Sequence, residues 1–140
     1  MAEFTSIATQ AIGTNQPVNF TETPVAPKPC IQHRQGSGII ALRGMTSQAR
    51  ALYKLTFGAN IAVPAGGTAG VISVAIAIEG EALPSSQAIV TPTAAGDFFN
   101  VFSTAFIEVP RGCCVSVSVR NTSTQTIDVA NANLVVERVC

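Results

Sequence analysis

The sequence predicts an all-β fold, an antiparallel sandwich or jelly roll of about eight to ten short strands. Three observations carry the prediction. Apolar residues alternate with polar or small ones at a period of two in one run after another, as strand side chains must. Turn clusters rich in Gly, Pro, Asn and Ser separate the runs. Helical periodicity is nowhere convincing.

Taken in order, residues 1–28 are polar and small, with Pro17, Pro24 and Pro27 around a short apolar piece at Val18 and Phe20. They predict an N-terminal arm with one short strand at 17–20 and a Pro-rich connection, packed along its own domain or reaching a neighbour. Residues 29–140 form the sandwich domain. Two short strands, 30–34 and 37–43, flank Gln35-Gly36. After a polar connection over 44–50, Tyr53, Leu55, Phe57, Ala59, Ile61 and Val63 alternate with smaller or polar residues, which predicts a long half-buried strand. The sequence PAGGTAG at 64–70 is a loop.

The stretch 71–86 organises the core. Ile72, Val74, Ile76 and Ile78 fall on one face, and Ser73, Ala75, Ala77 and Glu79 on the other, until Gly80 ends the run. A strand with one wholly aliphatic face needs a second apolar layer opposite it. A further strand at 87–91 and a turn at 92–97 follow.

Residues 98–109, FFNVFSTAFIEV, are apolar on both faces. Phe99, Val101, Ala105, Ile107 and Val109 form one side, and Phe98, Phe102 and Phe106 the other. One face of an antiparallel sheet ordinarily meets solvent, and three exposed Phe make an uncomfortable patch on a monomer. The Phe98, Phe102, Phe106 face is therefore expected at a subunit interface; the alternative is cover by an arm or loop of the same chain. Pro110-Arg111-Gly112 turns the chain into a strand in which Val115, Val117 and Val119 alternate with Ser116, Ser118 and Arg120. Residues 127–139 close it in two patterned halves, Ile127 with Val129 and Leu134 with Val136. Their opposite phase predicts a bulge between Ala130 and Asn133.

The chain has 140 residues, 47% of them apolar and 11% charged, with zero net charge. That is one domain's length. The balance offers no basic footprint for nucleic acid and no polybasic membrane patch. Little electrostatic repulsion keeps copies apart, which favours an assembled state. MAEFTSIATQ is not a secretory leader, and no apolar run approaches the roughly 20 residues of a membrane helix.

Four cysteines, Cys30, Cys113, Cys114 and Cys140, are expected mostly as reduced, partly buried thiols, with a disulfide or crosslink within or between chains as the alternative; their spacing matches no zinc site. In a strand, Cys113 and Cys114 would face opposite ways. Cys140 is the best placed for an intermolecular bond. The stock for catalysis is thin. His33, the one histidine, sits between Gln32 and Arg34 and suits a polar surface role. Ser37 in Gly36-Ser37-Gly38 lacks the nucleophile-elbow spacing, and the 64–70 loop lacks the Lys-Ser/Thr ending of a phosphate loop. No catalytic residue, cofactor or metal is expected.

The order VNF, YKLTFGANI, ISVAIAIEGEALPSS and FIEVPRGCCVSVSVRNTSTQTIDVANANLVVERV resembles the tumour-necrosis-factor-like jelly roll, including the trimeric head of a bacterial exosporium glycoprotein. The likeness spans about residues 15–139; the Gly-X-Y collagen stem of the exosporium protein is lacking. The whole chain also resembles small structural proteins of phages and prophages of Firmicutes. These resemblances imply a homotrimer with apolar strand faces around the three-fold axis. They imply a decoration or head-fibre subunit on the virion exterior, partnered by a major capsid protein or neighbouring virion subunits and made in the bacterial cytoplasm. A spore-surface or appendage subunit, for which the cysteines would be crosslinks, is the second expectation. A glycan- or receptor-binding module is the third.

Overall fold

The computed structural model describes residues 1–26 and 30–139. The strands are β1 (Ala2–Ser6), β2 (Gln10–Ile12), β3 (Glu22–Val25), β4 (Ile31–His33), β5 (Ile40–Arg43), β6 (Arg50–Ala62), β7 (Ile72–Ile78), β8 (Glu81–Ala82), β9 (Ala88–Val90), β10 (Phe99–Pro110), β11 (Cys114–Asn121) and β12 (Ile127–Arg138). One 3-10 turn, Pro84–Ser86, is the sole helical element among the described residues. All strand pairings are antiparallel and build two sheets. The first has the order β10-β6-β12-β1-β3, with β2 also on β12; the second runs β4-β5-β11-β7-β8, with β9 also on β7. The fold is therefore the predicted all-β antiparallel jelly-roll sandwich.

One apolar core lies between the sheets. From the first come Phe4, Leu55, Phe57, Ile61, Val101, Ile107 and Leu134, and from the second Ile40, Leu42, Ile72, Val74, Ile76, Val117 and Val119. Tyr53 is buried whole, and its hydroxyl donates across the sandwich to the Arg43 carbonyl at 2.7 Å. A phenol can occupy an apolar layer at little cost only when its polar end is satisfied in this way.

The bulge in β12 falls where the phase change placed it. Pairing with β6 slips between Ala130 and Asn133, and Asn131 adopts φ 55°. The slip lets Ile127, Val129, Leu134 and Val136 all point inward. Glu79 and Gly80, both at positive φ (54° and 83°), make the two-residue turn joining β7 to β8.

Three expectations are corrected. Residues 17–20 form no strand. Pro17 makes an isolated bridge to Arg120, while Val18 and Phe20 are buried as extended chain, the Val18 N–H donating to the Val119 carbonyl at 2.7 Å. The first 26 residues instead hold three strands, and β1 is an interior strand between β12 and β3 with Ala2 and Phe4 fully buried. The boundary at 28/29 lies outside the described residues. Lastly, β7 is not one-sided: Ser73, Ala75 and Ala77 are as buried as the aliphatic face. Ser73 is held by the Ser123 and Thr122 hydroxyls at 2.8 and 2.6 Å and by the Gln87 amide at 3.2 Å. Side chains this small let neighbouring segments close over them.

Candidate self-association face

The candidate site is the outer surface of the first sheet along β10 and β6. In their continuous register, Val101 faces Ala59, Ile107 faces Tyr53 and Val109 faces Ala51, which buries this alternation against the second sheet. The intervening residues must then point away from the core. Phe102 lies opposite Gly58 and Phe106 opposite Lys54, and Phe98 precedes the strand. Phe98, Phe102 and Phe106 are 47%, 70% and 60% exposed. No arm or loop among the described residues covers them. Phe99, expected on the core side, is exposed as well, although its cross-strand partner Ile61 is buried.

β10 is also an edge strand, with no second strand paired to it among the described residues, though the Ser103 hydroxyl donates to the Ser86 carbonyl of the neighbouring 3-10 turn. A long, apolar edge attracts further chains. Beside the aromatic ridge the face is polar, and several of its side chains hydrogen-bond to one another. The Asn100 amide donates to the Asn60 side chain and the Asn60 amide to Asn131, both at 3.2 Å; the Asn133 amide donates to Glu3 at 2.5 Å, and the Thr56 and Thr104 hydroxyls pair at 3.3 Å. The face ends at the exposed Arg50–Glu108 ion pair.

The cysteines cluster at one end of the sandwich. Cys30 and Cys114 flank Arg43 from its two sides: Cys114 is its cross-strand partner, and the Arg43 N–H donates to the Cys30 carbonyl at 2.8 Å. Two strand spacings, roughly 9–10 Å, exceed the limit of about 7 Å for a disulfide. Cys113 and Cys114 are both exposed, Cys113 just before β11 and Cys114 as its first residue. They border a shallow cavity of about 60 Å³ with Arg43, Gly44, Met45 and Gly112. Cys140 lies outside the described residues. The Tyr53 hydroxyl nearby is pushed up to about 12, chiefly by burial and further by the hydrogen bond and charge of Cys30, with Arg138 opposing.

His33 is held by a backbone carbonyl and an aromatic ring. Its Nε2–H donates to the Ser37 carbonyl at 2.7 Å and its ring packs on Phe4, centroids 4.6 Å apart. No group of three or more His, Cys, Asp or Glu converges among the described residues.

The architecture has known counterparts. An Eiger TNF from S. frugiperda superposes with a TM-score of 0.74 at 14% identity, over 99% of this chain and 91% of that one. The fold is a TNF-type and complement-1q-type jelly roll. The globular domain of a zebrafish complement 1qA protein matches with a TM-score of 0.65 at 12% identity over 96% and 94% of the two chains, and murine APRIL with 0.53 at 12% over 95% and 97%. No protein-family model and no curated protein matches the sequence. The likeness is thus one of backbone, and the TNF-like resemblance of the strand patterns holds at that level. The strands missed by sequence reading, β1 to β3, carried one available signal: Ala2, Phe4 and Ser6 alternate inward.

Proposed function

We propose that the protein is a non-enzymatic structural subunit that works as a homotrimer, assembled through the Phe98, Phe102 and Phe106 face. The observation carrying this reading is the bare aromatic ridge on an edge strand of a charge-poor jelly roll. A lone chain gains nothing from holding such a ridge in water, whereas a second copy removes it from solvent. The finer reading is a decoration or head-fibre subunit on a phage virion exterior, bound to a major capsid protein. The resemblance of the whole chain to small Firmicute-phage structural proteins supports it.

Sedimentation velocity at micromolar concentration tests the assembly. A trimer is expected, and a stable monomer contradicts the reading. The neighbouring genes test the location: a major capsid gene beside this one is expected, and spore genes there contradict it. The exposed Cys113 and Cys114 favour a second reading, a crosslinked spore-surface or appendage subunit. Covalent ladders on non-reducing gels that collapse to one band on reduction would support it.

A further inference from the structure

We infer that Gly58 forms a notch in the self-association face that receives a Phe side chain from β10 of a second copy, an inference that rests on the self-assembly reading above. Gly58 is the only glycine within a strand among the described residues, and it lies well inside β6. Glycine there weakens a strand, and its usual reasons are a bulge, a special backbone conformation or the close approach of another group. The β12 bulge does lie beside Gly58, whose partner Asn133 closes it, but the extra residues and the positive φ fall on β12 at Asn131, and a Cβ at Gly58 would meet no atom of β12 within 4 Å. On the other side the β6–β10 register is unbroken through Gly58, and Gly58 is not among the positive-φ glycines.

Nor does its own chain crowd it. A Cβ at Gly58 would lie 3.9 Å from the Phe102 Cβ and 4.0 Å from the Val101 carbonyl oxygen, both ordinary contacts. Gly38 is different, since a Cβ there would fall 2.5 Å from the Val18 carbonyl oxygen. What remains for Gly58 is an approach from outside the chain.

The surroundings fit an aromatic visitor. The missing side chain opens on the outer face, between Phe102 of β10 and Asn133 of β12, its two cross-strand partners, with Thr56 and Asn60 along β6. The three polar walls already spend hydrogen bonds within the chain, Thr56 on Thr104, Asn60 on Asn131 and Asn133 on Glu3, so covering them leaves fewer groups unpaired. Phe102 supplies an apolar wall. The occupant is a second copy because one face then carries both the hole, at Gly58, and free aromatic knobs, at Phe102 and Phe106. Filling the hole should therefore act on assembly and spare the fold.

The test is sedimentation velocity on the full chain carrying Gly58→Val, with Gly70→Val, a loop glycine with open space around it, as control. The variant should weaken self-association at least about 100-fold, and the control should assemble as wild type. Thermal unfolding in a Phe102→Asp background, where both chains are monomeric, should show Gly58→Val melting at the same temperature or a few degrees higher. A Gly58→Val chain that assembles like wild type overturns the notch while leaving self-assembly intact. One that fails to fold in the Phe102→Asp background overturns the claim that the chain itself has no need of the glycine. A wild-type chain that is monomeric removes the self-assembly reading itself.

Discussion

β7 and β10 look alike in composition and behave in opposite ways. Each presents one aliphatic alternation to the core. On its second face β7 carries Ser73, Ala75 and Ala77, and the protein closes over them; β10 carries Phe102 and Phe106, which nothing among the described residues covers. Small second-face residues allow intrachain cover. The large ones on β10 leave a ridge standing proud of the sheet, and a ridge needs a hollow in some other surface. The contrast separates what folds this chain from what assembles it.

The sharpest break of that contrast is a charge on the ridge. Phe102→Asp should abolish self-association, since a buried unpaired carboxylate costs several kcal/mol, while its circular dichroism stays that of the folded sandwich. Next comes a paired truncation. Ile76→Ala, in the core of β7, should cost about 2–5 kcal/mol in urea unfolding, whereas Phe102→Ala, measured on dissociated protein, should stay within about 0.5 kcal/mol of its parent. Equal losses at the two sites would erase the distinction between folding and assembly faces.

A third effect is electrostatic. The Tyr53 phenol stands at about 12 in the folded chain, above its ordinary value of 10.0. Its raised value means that stability is fully present below pH 10 and is lost as pH rises toward 12, by at most about 2–3 kcal/mol. Tyr53→Phe should flatten that part of the profile in urea titrations, at a cost near neutrality of about 1 kcal/mol. The smallest effect belongs to Arg50→Ala. Its ion pair with Glu108 is exposed on both sides, and the change in stability should be no more than about 0.5 kcal/mol.

Where the sequence was informative, side-chain size and phase were unambiguous. The alternation of β6, the bulge between Ala130 and Asn133 and the outward Phe102 and Phe106 each followed from large residues at a period of two. It was uninformative where burial falls on Ala and Ser, which suit either environment. The covered second face of β7 was missed for that reason. β1 was missed because Ala2, Phe4 and Ser6 make a short, weak alternation beside a Pro-rich stretch. The segment at Val18 and Phe20 shows the converse: apolar residues can be buried by extended chain without pairing as a strand. Gly58 passed as one more small residue in an alternating run. Only the register, which sets it between Phe102 and Asn133, gives it meaning.

Light scattering on the wild-type chain beside Phe102→Asp, both at micromolar concentration, tests the central claim most directly. The account predicts three times the chain mass of 14.4 kDa for wild type and the single-chain mass for the variant. The same mass for both, whether monomeric or assembled, would contradict it.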